Sequence, residues 1–255
     1  DDNINIRNLG IKAVELGLDG TEHLYYPLKE TSPIADSLTE AGAGYGMITP
    51  LMNTYDSELA LKAYKELGES GFYVTPTLHI GKTLAELLIT DHSEDSLLNY
   101  ISPDIIETYQ RRLNSAKRGG HSYTQTRSLW VTSFSNMVKP MYDSGINILA
   151  GSDSGPYNSF TYPGQSLHKE LELLVNAGLT PQEALITSVI NGPKFFGLEN
   201  QYGSIESGKM ADLLILEQNP LEDITNTSTI YNVVAGGKWY SKKALNDLMN
   251  SIKNN

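Results

Sequence analysis

Ile146-Asn147-Ile148-Leu149-Ala150-Gly151-Ser152-Asp153-Ser154-Gly155 is the stretch on which the fold turns. Its first five residues are a short, mostly apolar run, the composition of a strand buried in a parallel sheet. A Gly- and Ser-rich turn carrying Asp153 follows at once. Reactive groups in parallel α/β folds gather at the carboxyl ends of strands, and Asp153 stands at such an end. An Asp in a Gly/Ser turn is also an ordinary turn former, so both readings stay open at this point.

The neighbours of this stretch alternate helix and strand. Upstream, Trp130 to Ser144 reads as a helix stopped by Gly145. Downstream, Leu167, Leu171 and Leu174 line one face of a helix ending at Gly178. Thr180-Pro181-Gln182-Glu183 is a capping box with Pro at the first helical position, and its helix ends at Asn191-Gly192-Pro193. Further out, an amphipathic helix runs from Asp56 to about Ser70 with Leu59, Ala63 and Leu67 on one face. Phe72 to Leu78 is a strand rich in β-formers. A first strand covers roughly Gly20 to Tyr25, behind a helix ending near Gly17. Pro27 to Pro50 reads as a Pro/Gly-punctuated connection. Residues 79–128 are polar, with a helix from Pro103 behind the N-cap Ser102, and read as an insertion or lid. Asp212–Leu216, Ile230–Val234 and Lys238–Tyr240 read as strands of a small β unit, closed by a helix from Ser241 to Ile252. Alternating helix and strand implies a parallel sheet with helical crossovers.

Composition narrows the function classes. A formal net charge of −11 argues against nucleic acid or an anionic membrane as the main partner. The absence of cysteine excludes a disulfide scaffold, a thiolate zinc site and a Cys nucleophile. No run of about 18 apolar residues exists to span a membrane. The 255 residues match the usual size of a complete (β/α)8 barrel, about 250. There is no initiating Met, and Ile6, Leu9, Ala13 and Leu16 already have helical spacing. This suggests a processed or engineered start, or a piece of a longer polypeptide.

Several residues have the types needed for chemistry. Glu22-His23 closes the first strand and Asp153 follows the strand Ile146–Ala150. A neutral imidazole offers one nitrogen lone pair, and a carboxylate both ligates and accepts a proton. A strand-end His is as readily a hydrogen-bonding residue, and two ligands are fewer than the three of a catalytic zinc. His79 follows the second strand, towards the same rim. His92 and His121 fall in the polar insertion and are expected to be solvated. His168 opens the leucine-faced helix, either donating a hydrogen bond into the site or capping and packing. Tyr25, Tyr26, Tyr157 and Tyr162 suggest either a pocket rim that contacts an organic substrate or ordinary packing. Gly42-Ala43-Gly44-Tyr45-Gly46 does not follow a strand and lacks the dinucleotide spacing. The centre of Gly151–Gly155 is Asp, not the Ser of a nucleophile elbow, and no phosphate-binding loop occurs.

From Asn147 to Lys238 the chain resembles the C-terminal part of the amidohydrolase superfamily, in its imidazolonepropionase and Xaa-Pro-dipeptidase-like branch. The resemblance rests on Ile148-Leu149-Ala150-Gly151-Ser152-Asp153, on Pro163-Gly164-Gln165-Ser166-Leu167-His168-Lys169-Glu170-Leu171 and on Ala177–Leu185. It continues through Gly203-Ser204-Ile205-Glu206-Ser207-Gly208-Lys209-Met210-Ala211-Asp212-Leu213 and Asn219–Ile224. Gly20-Thr21-Glu22-His23 is similar to that family's strand-six motif and Val74–Leu78 to its strand seven.

The resemblance implies an α/β fold. The expected architecture is the C-terminal part of a metal-dependent-hydrolase (β/α)8 TIM barrel, strands six to eight, plus part of a small β-sandwich. On that basis residues 1–200 form a partial barrel with an insertion at about 79–128, and 201–255 a β-sandwich segment with a terminal helix. His23 matches the strand-six metal ligand. Asp153 matches the strand-eight ligand, which also accepts the proton of the metal-activated water. His168, His79 and Tyr25 are candidate substrate contacts. The implied cofactor is a divalent metal, zinc, with one or two ions in the complete enzyme. The implied substrate is a small amide or peptide.

The family's His-x-His pair is absent: the five histidines stand at 23, 79, 92, 121 and 168. The chain is therefore expected to lack strands one to five, to bind metal weakly or not at all, and to be inactive alone. Its open edges are expected to need the missing N-terminal half or a second copy. The alternative is a non-catalytic remnant, a binding or structural module that keeps the fold fragment. An unrelated α/β hydrolase or nucleotide-binding domain lacks its motif here.

Overall fold

The computed structural model describes residues 11–253. Ile6 and Leu9 of the expected first helix lie outside the described residues. Helix α1 (Ile11–Glu15) leads into β1 (Gly20–Glu22). Short helices follow, α2 (Tyr25–Lys29), α3 (Ala35–Glu40) and α4 (Ile48–Asn53), then α5 (Ser57–Glu69), β2 (Tyr73–Thr75), α6 (Leu78–Glu86) and α7 (Pro103–Asp143). Next come β3 (Asn147–Ile148), α8 (Gln165–Asn176), α9 (Pro181–Val189) and α10 (Asn191–Phe195). The tail holds β4 (Leu213–Leu216), β5 (Ile230–Ala235), β6 (Lys238–Ser241) and α11 (Lys242–Ile252).

The strands form two sheets. β1, β2 and β3 lie side by side and parallel, with Thr21 opposite Val74 and Val74 opposite Ile148. β4, β5 and β6 form an antiparallel meander, so the third tail strand expected at Lys238–Tyr240 is present. Helices α5, α7 and α8 cover the parallel sheet. Leu51, Leu67, Val74, Val138, Ile148 and Leu174 form its core, each at most 1% exposed. Burying side chains of this size stabilises by about 1.5–3 kcal/mol each. The close approach of α5 to the end of α7 requires Gly68, where a Cβ would stand 2.1 Å from the Ser144 carbonyl oxygen.

Local signals are realised where capping groups sit next to the helix they cap. Asp56 accepts from the Glu58 and Leu59 N–H groups at the start of α5. Thr180 and Glu183 close the capping box of α9. On α5 the buried face is Ala60, Ala63, Tyr64 and Leu67, whereas Leu59 is exposed. Ser102 occupies the N-cap of α7 without a side-chain bond.

Several expected bounds are corrected. β1 stops at Glu22, because His23 turns left-handed and Tyr25 begins α2. The second strand ends at Thr75, and Leu78 starts a helix behind a left-handed Thr77. The Pro27–Pro50 connection contains α3 and α4, anchored by buried Ala35, Ile48 and Leu51. The expected separate helix from Trp130 is the second half of α7, which runs on from Pro103 through a kink at Gly120 (φ 56°, ψ −140°). The helix begun at Pro181 ends at Val189, just before Asn191-Gly192-Pro193 as expected, and those residues then open the separate short helix α10.

Candidate active site

The carboxyl ends of β1, β2 and β3 open onto a cleft of about 450 Å³, lined by His23, Thr77 and Asp153. These three residues follow the three strands in turn, and all have positive φ: 65°, 52° and 53°. Left-handed backbone at a non-glycine residue is uncommon and costs about 1–3 kcal/mol, most plainly for a β-branched Thr. Such outliers gather at functional sites because surrounding structure must hold them in place.

Thr77 orders His23. The His23 Nδ1 lies 2.7 Å from Thr77 Oγ1, and the Thr77 hydroxyl donates to the Pro76 carbonyl at 2.7 Å. A hydroxyl has one proton to give. When that proton is given to Pro76, Oγ1 accepts from His23, and the tautomer that fits this arrangement carries its proton on Nδ1 and its lone pair on Nε2. Asp153 is exposed, and its carbonyl accepts from Asn158 Nδ2 at 2.6 Å. Asn158 Oδ1 in turn accepts from Arg112 of α7 at 3.3 Å.

Tyr25 forms an aromatic wall of the cleft. Its ring centroid lies 5.5 Å from His23, 5.4 Å from Tyr45 and 5.4 Å from Phe134. Burial pushes the Tyr25 hydroxyl pKa up, against the opposing charge of Arg127. The Arg127 guanidinium sits over the Trp130 ring, 4.7 Å from its centroid.

The remaining candidates lie elsewhere. His79 lines a separate cavity of about 390 Å³ with Lys82, Lys169 and Glu172. Burial, then the charges of Lys169 and Lys82, bring its pKa down to about 4. His168 is not among the residues lining the cleft; its Nδ1 is 3.0 Å from Thr227 Oγ1 and ties α8 to the turn Ile224–Ser228. His121 is exposed. His92 is not solvated as expected: it stacks on Phe160 at 3.8 Å, and its Nε2 is buried without a partner. Of the four rim tyrosines, Tyr25 alone lines the cleft. Tyr26 is half-buried, Tyr157 is exposed, and Tyr162 donates to Asp95 Oδ2 at 2.6 Å beside the second cavity.

Sequence reasoning missed Glu170. It is fully buried, and its carboxylate accepts from the Leu78 N–H at 3.0 Å, the His79 N–H at 2.7 Å and the Thr77 N–H. The available signal was its position on the leucine face of α8, three residues after Leu167 and four before Leu174.

Among the described residues no three of His, Cys, Asp and Glu come together as a metal-ligand set. His23 and Asp153 bring two donors of suitable chemistry to one cleft, one fewer than a catalytic zinc takes from protein.

Comparison with known proteins gives these features a lineage. The sequence profile of the amidohydrolase family matches residues 34–240. The 5'-deoxyadenosine deaminase of Methanobrevibacter smithii is 36% identical over 77 residues, 30% of this chain and 18% of that protein. The imidazolonepropionase of Symbiobacterium thermophilum is 36% identical over 92 residues, 33% of this chain and 21% of that protein. The matched segment thus spans about a fifth of each curated relative. In structure the chain is similar to bottromycin amidohydrolase, with a TM-score of 0.66 at 19% identity, covering 95% of this chain and 50% of that one. That likeness shows a shared α/β fold. With the profile match running over most of its length, the chain belongs to the amidohydrolase family.

Proposed function

We propose that this chain is the C-terminal portion of a metal-dependent amidohydrolase that hydrolyses a C–N bond in an amide, peptide or cyclic amide. The observation that carries this reading is the pairing of His23 and Asp153 in one cleft at the carboxyl ends of parallel strands. In this reading β1, β2 and β3 are strands six, seven and eight of a (β/α)8 barrel. Residues 1–200 are the barrel portion, with an insertion at about 79–128, and 201–255 belong to a β-sandwich.

His23 through Nε2 and Asp153 would hold a divalent metal, zinc, together with donors from outside the described residues. When bound, such an ion lowers the pKa of water and polarises the scissile carbonyl. Asp153 accepts the proton of the attacking water as its oxygen bonds to the carbonyl carbon. As the C–N bond breaks, Asp153 returns that proton to the leaving nitrogen. Tyr25 packs against the substrate body; His79 and His168, outside the lining of this cleft, would reach only a substrate that extends beyond it. The chain alone binds zinc weakly and is inactive. The remaining strands, or a second copy, cover the open edge of β1.

The test is Asp153→Asn in the complete protein. Loss of a general base of this kind lowers hydrolysis by about 10²–10⁴-fold, and retained activity would sink the assignment. Tight stoichiometric zinc binding by the 255-residue chain, lost in Asp153→Asn, would overturn its incompleteness. The two-donor count favours one second reading, a non-catalytic module that keeps the fold. A complete protein that hydrolyses no amide would support it.

A further inference from the structure

Glu170 is the one fully buried carboxylate among the described residues. Removing a carboxylate from water is expensive unless it is well paired. Among the described residues no cation pairs with it. Its partners are three successive backbone N–H groups, those of Thr77, Leu78 and His79, which open α6. A left-handed residue followed by right-handed ones turns consecutive N–H groups to a common point, forming an anion-binding nest. Thr77 at φ 52°, ψ 46° is that left-handed residue, and the Glu170 carboxylate fills the nest.

The same position explains an anomaly of capping. A threonine at an N-cap ordinarily uses its hydroxyl to accept from an N–H of the first turn. Thr77 makes no such bond. Its hydroxyl is engaged with the Pro76 carbonyl and with His23 Nδ1. The capping work is done instead by a side chain 92 residues away.

We infer that Glu170 and Thr77 are positioning residues for His23: the Glu170 carboxylate holds the nest at residues 77–79, which frees the Thr77 hydroxyl to accept from His23 and keeps the Nε2 lone pair available. The consequence for metal binding rests on the proposed function, whereas the tautomer itself does not. Ring-nitrogen partners of this kind fix which nitrogen of a ligating histidine is free.

The experiment is ¹⁵N NMR of the histidine side chains in the full 255-residue chain at pH 8, above the ordinary imidazole range. His23 is assigned by difference with His23→Gln. Wild type is expected to show His23 protonated at Nδ1. Thr77→Val is expected to lose that signature, with the four other histidines unchanged, and Thr77→Ser to restore it. Glu170→Gln is expected to lose it as well, because a carboxamide cannot accept at both ends. If Glu170→Gln fails to fold, Glu170→Asp keeps the charge but shortens the reach, and the same loss is expected. Persistence of the Nδ1-protonated form in Thr77→Val, or in a folded Glu170 variant, overturns the inference. These outcomes are separable from the hydrolytic reading. A tautomer lost in Thr77→Val alongside a complete protein indifferent to Asp153→Asn would sustain the positioning role and sink the reaction.

Discussion

At the scale of single residues, Glu170 and His79 lean stability in opposite directions with pH. Burial raises the Glu170 pKa to about 7, although the three N–H groups pull the other way. A carboxyl group whose folded pKa lies above its unfolded one stabilises fully below the ordinary carboxylate range. That contribution is lost as pH rises through about 7. His79, held at about 4 by burial and two lysines, is the reverse: its contribution is complete above the ordinary imidazole range and disappears as pH falls through about 4. Above the ordinary imidazole range the histidine contribution is flat, so the comparison of wild type with Glu170→Gln is read mainly on the upper part of the pH range. Urea unfolding is expected to show wild type losing about 2 kcal/mol relative to the variant between about pH 5.5 and 8.5. A constant difference across that range would mean that Glu170 is not titrating in the fold.

Gly151 adds a steric prediction at the same scale. A Cβ there would stand 2.4 Å from Thr75 Cγ2, at the end of β2 and two residues before Thr77. Gly151→Ala is expected to cost about 1–3 kcal/mol, the usual range for overpacking. It should also disturb the His23 signature, since the displaced strand end carries Thr77. Unchanged stability would show that the strand ends have slack.

At the scale of elements, the capped helices give the simplest expectation. Asp56→Ala removes the acceptor for two N–H groups of α5 and should lower stability by about 0.5–2 kcal/mol in thermal or urea unfolding. These helices were legible in the sequence because cap, first turn and apolar face lie within a few residues of one another. The strands Tyr73–Thr75 and Asn147–Ile148 were legible from equally local signals, a run of β-formers and a short apolar run. Helices α3 and α4 were not, since each has six residues, too few for propensity to register against Pro33, Gly42, Gly44 and Gly46. What holds them is tertiary burial of Ala35, Ile48 and Leu51. The candidate site divides along the same line. His23 and Asp153 could be found from their places beside strands. The links from Thr77 to His23, 54 residues apart, and from Glu170 to Leu78, 92 apart, come into being only when β1, β2 and α8 meet.

At the scale of the whole molecule, the two sides of the parallel sheet are treated differently. Beyond β3, the Asn191 side chain donates to the Ile148 carbonyl at 2.9 Å, and the Ala150 N–H donates to the Thr187 carbonyl at 3.2 Å. Among the described residues β1 pairs with β2 alone. The His23 N–H reaches Thr75 and the Asp19 carbonyl accepts from Tyr73, so alternate positions at 19 and 23 face β2. Gly20 and Glu22, set between them, turn their backbone groups to the open side. An open strand edge is a template for pairing with another strand. If the proposed missing strands belong on this edge, the chain alone should associate at micromolar concentration, as measured by sedimentation velocity. Glu22→Pro removes one outward N–H without touching the ladder to β2 and should reduce that association. The charge of −11 opposes contact between copies. Added salt screens that repulsion and should therefore strengthen the self-association. A chain that stays monomeric with and without salt, or a Glu22→Pro variant that associates as wild type does, would remove the β1 edge as the surface on which the rest of the fold is built.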